Sequence, residues 1–253
     1  MRLHLGIALL VAWTLNGQAI GQGVNFYSIQ KESALGEQLA RAYRDAHSPL
    51  DSAMVRDYVE QVGQRLMRAL PQGSPFLPYH FEVTADSTGT FLEPTAFPGG
   101  AIFIPAGLIL ETRDEAEFAG TLAHAMAHVL GRHYTREETK SAIAQMAAGP
   151  LRSVPVAAGL DRSIDATLLQ FHSSLESEAD RIAVGLTSTA GYDPRGVERF
   201  IAREQSDTGQ SNLPPRDARV LAIEQAVQAL PRQNAPSPDF TRIQDEVRRL
   251  MNQ

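Results

Sequence analysis

The sequence predicts an α+β domain that is mostly helical, with one small β-sheet. Apolar residues recur at helical spacing in several segments on both sides of residues 79–105. Within residues 79–105, short alternating or β-branched runs indicate strands instead. Two histidines four positions apart, His124 and His128, lie in one of the helical segments. Their spacing predicts a helix that carries a metal site.

Residues 1–21 are predicted to be a secretory signal peptide. A basic residue precedes an apolar run from Leu5 to Leu15, and small and polar residues follow. The run is too short to span a bilayer, which takes about 20 residues, so we expect cleavage after Ala19 or Gly21. The rest of the chain, residues 22–253, is predicted to be a single domain that is exported to the periplasm or outside the cell.

The composition excludes several classes of protein and site. The chain has no cysteine, so it has no lipoprotein attachment site, disulfide or zinc ribbon. Its net charge is -6 and it has no basic tract, which argues against nucleic acid as a partner. No transmembrane segment is expected after removal of the signal peptide, because no other apolar run is long enough.

The first half of the domain is predicted to change from helices to strands. Two amphipathic helices are expected over Ser28–Ala46, whose first residue is a plausible N-cap, and over Asp51–Leu70. The Pro/Gly-rich segment Pro71–Pro78 ends the second helix. Tyr79–Thr84 alternates as a strand does, and Thr95–Pro105 contains a Pro-Gly-Gly turn and a second strand.

The second half is predicted to be helical. A helix from Asp114 to about His133 carries the two histidines and has acidic residues in its first turn, where the helix dipole favours them. Gly149–Ser163 is expected to be a loop or a short buried element, and Gly191 suits the C-cap of a long helix. The remaining predicted helices are about Arg136–Ala147, Asp165–Ala190, Pro194–Glu204, Asp217–Leu230 and Asp239–Met251.

The run HAMAH at residues 124–128 matches the H-E-x-x-H motif of zinc peptidases except at its glutamate. His124 and His128 are about one helical turn apart, so both imidazoles project from one face and can bind the same metal ion. The glutamate of that motif is the general base, which takes a proton from the metal-bound water. Ala125 stands at its position, so the metal-binding half of the motif is present and its base is missing.

A third metal ligand is predicted in the long helix. Glu176 and Asp180 share one face of that helix, whereas Glu178 points elsewhere. Glu176 is therefore the candidate third ligand of one zinc ion (Zn2+), and Asp180 is expected to accept a hydrogen bond from the free N–H of a ligand histidine. Either pair alone is common on helices without a metal. Their joint occurrence on two long helices favours the three-ligand site.

His133 is an alternative third ligand that the spacing disfavours. In the pattern H-x-x-x-H-x-x-G-x-x-H, Gly131 falls at the glycine and the last histidine would be residue 134, which is Tyr134. His133 is one position short and would be turned by about 100° on a continuous helix. We therefore expect a polar residue near a helix end.

Several motifs in the same order along the chain resemble one family of zinc metallopeptidases, which includes HtpX, BepA, the mitochondrial Oma-type proteases and the CAAX prenyl endopeptidases. The resemblance covers essentially the whole exported region. It rests on these segments: Asn25–Ser28 through Gly36, Ala96–Gly100 with Ile102–Ile104, Leu122–His133, Glu176–Asp180 and Gly191–Pro194.

The resemblance implies a gluzincin-like core with an active-site helix, a zinc ion and a polypeptide substrate or client. His124, His128 and Glu176 would be the ligands, with Asp180 behind them. It further implies that the strand of Ile102, Phe103 and Ile104 binds an extended peptide by β-augmentation.

The chain departs from this family at a second position. Members carry a Thr-His-Pro turn whose histidine helps to bind substrate and to stabilise the tetrahedral intermediate. The matching stretch is Ser211–Pro215, with Leu213 at the histidine and Arg219 where the family has an arginine. Leucine offers no hydrogen bond to an oxyanion.

The two replacements predict a catalytically impaired member in which no catalytic residue is intact. Loss of a general base and of one oxyanion donor would together slow turnover by roughly 10⁴- to 10⁷-fold. One hypothesis is therefore a disabled zinc metalloendopeptidase of the cell envelope, or one that uses another base, such as a nearby carboxylate. The alternative is a pseudoprotease that binds extended or unfolded polypeptide without cutting it.

Overall fold

The computed structural model describes residues 20–21, 23–86, 93–148, 157–206, 213–228, 230 and 238–252. The predicted signal peptide lies outside the described residues except for Ile20 and Gly21, and so does the first part of the predicted loop, residues 149–156.

The predicted mostly helical α+β fold is confirmed. The strands are β1 (His80–Thr84), β2 (Thr95–Ala96) and β3 (Ala101–Pro105). The helices are α1 (Ile29–Ala46), α2 (Ala53–Met67), α3 (Ala106–Glu111), α4 (Glu115–Leu130), α5 (His133–Ala148), α6 (Ala157–Ala190), α7 (Gly196–Glu204), α8 (Arg216–Val227) and α9 (Pro238–Met251).

Local chemistry sets many of these helix ends. The hydroxyl oxygen of Ser28 accepts a hydrogen bond from the backbone N–H of Lys31 at 3.3 Å, which satisfies a free donor at the start of α1. Asp114 caps α4 in the same way, through the N–H of Glu117 at 2.8 Å. Gly191 follows α6 with φ of 80°, a left-handed conformation that glycine adopts without strain.

The sheet has the order β1-β3-β2 and corrects one expectation. Gly99 and Gly100 adopt positive φ values of 83° and 115°, which turns the chain so that β2 folds back antiparallel onto β3. β1 pairs with all of β3 in parallel, and β2 pairs with Ile102 and Phe103. These two residues are hydrogen-bonded within the sheet on both sides, and Ile104 is fully buried.

Ile102, Phe103 and Ile104 therefore do not form a free edge for a peptide, and that prediction is wrong in its choice of strand. The hairpin makes β3 the central strand of the sheet. The side of β2 that faces away from β3 has no strand partner among the described residues, so β2 is the candidate edge.

Two helices also differ from expectation. α3 was not predicted, because its six residues are too few to show helical periodicity. Residues 157–163 were predicted to belong to a loop, but they form the first turns of α6, which is 34 residues long. Small apolar residues without periodicity concealed this helical start. Among the described residues, no helix combines the length and the apolar character needed to cross a bilayer.

The site lies on α4, which passes through the centre of the domain. α4 packs against α6 on one side and α7 on another. Small residues permit these close crossings: a Cβ atom added to Gly120 of α4 would clash with the backbone of Val197, and one added to Gly196 would clash with the backbone of Ala116. Close packing on both sides fixes the position of the central helix.

Candidate metal centre

The three predicted metal ligands come together where α4 and α6 cross. Glu176 Oε2 lies 3.4 Å from His124 Nε2, and Glu176 Oε1 lies 3.4 Å from His128 Nε2. The two Nε2 atoms are 2.9 Å apart. His124 and Glu176 are buried, whereas the His128 side chain is 26% exposed. The trio therefore lies at the base of an opening to solvent.

This donor set fits a metal ion. Tetrahedral zinc holds nitrogen and oxygen ligands at about 2.0–2.2 Å, which places two ligand atoms about 3.3–3.5 Å from each other. The histidine-to-carboxylate distances of 3.4 Å match that spacing, and the two histidine nitrogens are slightly closer. Glu176 Oε2 is buried with no hydrogen-bond partner among the described residues, a condition that a bound cation would relieve.

Asp180 and Arg219 support His124 from behind. Asp180 Oδ1 lies 2.9 Å from His124 Nδ1, although the N–H is not aimed straight at the oxygen. Arg219 donates two hydrogen bonds to the Asp180 carboxylate, at 2.7 and 2.8 Å. A third, at 2.9 Å, goes to Gln205, whose side-chain amide donates to the carbonyl of Pro214. This network directs Nε2 of His124 toward the metal position.

His133 supports His128, a role that its sequence position did not suggest. Nδ1 of His133 lies 3.1 Å from Nδ1 of His128, and its Nε2 lies 3.6 Å from Glu178 Oε2. If His128 Nε2 binds a metal, its Nδ1 carries the proton and donates to His133. Glu178 in turn accepts a hydrogen bond from Arg136 at 2.9 Å.

Gly131 provides the space for His133. A Cβ atom at Gly131 would clash with the His133 imidazole. The helix ends here, and Arg132 has φ of 55°, so His133 starts a new helix, α5. The rotation of about 100° per residue that disfavoured His133 applies only to a continuous helix. His133 is near a helix end, as predicted, and contacts a metal-ligand candidate from behind.

The charges in the cluster are strongly coupled. Burial would lower the pKa of His124, but the contacts with Asp180 and Glu176 outweigh it and raise the pKa to about 10. Burial, together with the charge on His124, lowers the pKa of His128 to about 3. Burial would raise the pKa of Glu176, but the two histidines and Arg219 hold it below its usual range. The cluster therefore combines one cationic and one neutral imidazole with an ionised carboxylate.

A cleft connects the metal-ligand candidates to the edge of the sheet. His128 and Glu176 line it on one side, and Pro94, Ala96 and Pro98 line it on the other. In the antiparallel pairing with β3, Phe97 donates a backbone hydrogen bond to Ala101 at 2.8 Å, so the N–H and C=O of Ala96 point away from β3. The unpaired edge of β2 and the metal position share one cleft.

The two replaced positions have different surroundings. Ala125 is 2% exposed and belongs to the hydrophobic core. Leu213 is half-buried and immediately precedes Pro214, which the hydrogen bond from Gln205 links to the Arg219 network. The loop that carries Leu213 is thus tied to the same network as His124.

Glu93 is a carboxylate near the cluster that the sequence did not reveal. It lies just before β2, and its carboxyl group is densely surrounded by protein although the residue as a whole is half-buried. Burial raises its pKa, and it interacts electrostatically with His124, Arg219, Glu176 and Asp180, in that order of strength. No sequence pattern connects position 93 to the histidines, because the hairpin alone brings it near them.

The sequence pattern of peptidase family M48 matches residues 54–227. This range contains the two histidines, Glu176, Asp180 and Arg219. Among curated proteins, the β-barrel assembly-enhancing protease of Yersinia pestis is 28% identical over 236 residues, which cover 84% of this chain and 47% of that protein.

Two further relatives have similar coverage. The β-barrel assembly-enhancing protease of Escherichia coli is 26% identical over 202 residues, which cover 74% of this chain and 40% of that protein. The mitochondrial metalloendopeptidase OMA1 of Schizosaccharomyces pombe is 28% identical over 208 residues, which cover 73% and 58%. The chain spans roughly half the length of these curated relatives.

Proposed function

This chain belongs to peptidase family M48, and on that basis we propose that it is a zinc metalloendopeptidase-family protein of the cell envelope with impaired catalysis. The observation that carries the proposal is the convergence of His124, His128 and Glu176 at a cleft where Ala125 replaces the general base. The envelope location rests on the signal peptide predicted for residues 1–21.

The chain's own residues would bind and orient one zinc ion. His124, His128 and Glu176 supply the ligand atoms, Asp180 holds the tautomer of His124, and His133 holds that of His128. A zinc ion there would polarise a peptide carbonyl and lower the pKa of a bound water. Because the donors are two nitrogens and one oxygen, they suit zinc better than magnesium or calcium.

Extended polypeptide is the ligand that fits the cleft. The free N–H and C=O of Ala96 on β2 would pair with the backbone of a peptide, as in β-augmentation. Pro94 and Pro98 on either side have no N–H, so Ala96 is the only residue between them that offers both groups. A peptide bound there would lie beside His128 and Glu176.

Slow turnover follows from the two replaced positions. General acid–base catalysis contributes about 10²- to 10⁴-fold in rate, and Ala125 offers no proton acceptor. Leu213 offers no hydrogen bond to a developing oxyanion, a loss of about 10²- to 10³-fold. The same two observations favour the second candidate function, a pseudoprotease that binds polypeptide without cutting it.

The decisive experiment compares the unaltered chain with Ala125→Glu, Leu213→His and the double variant. Zinc content and casein hydrolysis are measured for each, with and without a chelator. We expect about one zinc per chain in all four. We expect hydrolysis to rise by about 10²- to 10⁴-fold in Ala125→Glu, because the restored carboxylate accepts a proton.

Ala125→Gln is the matched control, since it adds the same volume without a base. It should bind zinc and stay slow. A zinc-free unaltered chain would refute the proposed function. Robust, chelator-sensitive hydrolysis by the unaltered chain would refute both impaired catalysis and the pseudoprotease. Peptide binding without any hydrolysis by the unaltered chain would favour the pseudoprotease.

A further inference from the structure

We propose that Glu93 supplies the proton-accepting carboxylate that position 125 lacks, and that the slow peptide-bond hydrolysis of this chain depends on it. The inference rests on the proposed function. It assigns a catalytic residue to a strand of the sheet, whereas the lost base belonged to the helix that carries the histidines.

The placement of Glu93 is the first argument. It enters the site from the β2 side, where the next residue, Pro94, lines the cleft together with His128 and Glu176. β2 packs directly against α4, the helix of both histidines. Glu93 interacts electrostatically with His124 and Glu176. A carboxylate at this end of β2 faces the metal position and the path of an extended peptide together.

The availability of its oxygen atoms is the second argument. Three other carboxylates in or beside the cleft have partners: Glu32 pairs with Arg132, Glu137 with His172, and Glu178 with Arg136. Within the described ranges, the Glu93 carboxyl group has no hydrogen bond or ion pair. An unpartnered carboxyl next to a metal site is free to exchange protons with water and substrate.

The charge of the cluster is the third argument. Glu176 and Asp180 are ionised and Arg219 is a cation, so these groups sum to one negative charge. A divalent ion bound by neutral histidines changes the sum to one positive charge, and an ionised Glu93 neutralises it. Without the ion, a protonated His124 already balances the cluster and a neutral Glu93 is favoured, in agreement with its raised pKa. Glu93 is therefore ready to ionise when the ion binds.

The proton transfers follow from this placement. The Glu93 carboxylate takes one proton from the attacking water as the water oxygen bonds to the peptide carbonyl carbon. The carbon–nitrogen bond then breaks, and Glu93 gives that proton to the departing amine nitrogen. The carboxylate is regenerated and the net reaction consumes one water.

The test compares the unaltered chain with Glu93→Gln, which has the same shape and no ionisable group. Casein hydrolysis is measured in zinc-loaded protein, and zinc affinity by chelator competition. Proton release on zinc binding is measured by calorimetry at pH 6.5 in buffers of different ionisation enthalpy. We expect Glu93→Gln to hydrolyse casein at least about 100-fold more slowly, to bind zinc within about threefold, and to release about one proton fewer.

Glu37→Gln is the matched control, because Glu37 is an exposed carboxylate on α1 that pairs with Arg41. It should match the unaltered chain in all three measurements. The double variant Glu93→Gln/Ala125→Glu should recover hydrolysis, which would show that Glu93→Gln folds and that a base is what it lacks.

The outcomes separate this inference from the proposed function. A zinc-free unaltered chain refutes the proposed function. Normal zinc binding with unchanged hydrolysis and proton release in Glu93→Gln refutes only the role of Glu93. If the unaltered chain shows no hydrolysis, unchanged proton release in Glu93→Gln overturns the inference. A loss of zinc affinity above about tenfold in Glu93→Gln also overturns it, because it would identify Glu93 as a metal ligand.

Discussion

The imidazole of His133 matters at the scale of single residues because it accepts the Nδ1 proton of His128. We expect His133→Phe to lower zinc affinity by about 10- to 100-fold, since His128 would lose the group that fixes its tautomer. His133→Asn is the matched control, because an amide oxygen can occupy the position of Nδ1. Chelator competition gives the affinities. Equal affinities for the two variants would contradict the role assigned to His133.

Arg219 is the second residue with a measurable effect, because it is the buried partner of the Asp180 carboxylate. Arg219→Met leaves that carboxylate buried and unpaired, which should lower the free energy of unfolding by about 3–5 kcal/mol. Urea unfolding measures this change. The double variant Arg219→Met/Asp180→Asn removes both charges and should be more stable than Arg219→Met alone. A double variant that is equally unstable would show that packing, and not charge, sets the loss.

The metal-ligand candidates could be predicted at this scale, whereas two of their supporting groups could not. His124, His128 and Glu176 follow from spacing along helices, a regularity that sequence displays directly. His133 escaped because the helix ends at Gly131 and the rotation per residue no longer applies. Glu93 escaped because its neighbours depend on how the hairpin folds back.

The crossing of α4 and α7 is the most sensitive contact between elements. Gly120 and Gly196 both lie against backbone atoms of the other helix, which cannot rotate away as a side chain can. We expect Gly196→Ala to lower the free energy of unfolding by about 1–3 kcal/mol through overpacking. Gly120→Ala should have a similar effect. Urea unfolding tests this, and the double variant should be less than additive because both changes separate the same pair of helices.

The predictability of the elements depended on their length. α1, α2 and α4 have caps and amphipathic or acidic first turns that the sequence displays, and their predicted bounds are close to the observed ones. β2 has only two residues, so no alternation could separate it from the turn that follows. This short strand decides which side of the sheet is open, and therefore the predicted peptide-binding strand was wrong.

At the scale of the whole molecule, zinc and protons should compete for the cluster. The pKa of His124 is raised to about 10, so below that pH zinc must displace a proton and its affinity should rise at least about tenfold per pH unit. Chelator competition between pH 6 and pH 9 measures this dependence. An affinity that does not change with pH would show that His124 is not protonated in the metal-free protein.

The metal-free protein should show the opposite trend in stability. A raised folded-state pKa means that His124 contributes stability fully below about pH 6.5, and that this contribution is lost as the pH rises toward 10. Urea unfolding in chelator should therefore show a decline over this range, whereas added zinc should stabilise the protein most at the higher pH values. Parallel curves with and without zinc would contradict this linkage.

The two prolines beside Ala96 have a consequence for the behaviour of the protein in concentrated solution. An open strand edge is a template on which copies of a protein can stack into aggregates. Pro94 and Pro98 interrupt the row of donors, so a second copy could form bonds to one residue and then no further. Replacement of both prolines would lengthen the edge and remove that protection. The chain can thus keep an open strand beside its cleft and remain resistant to self-association.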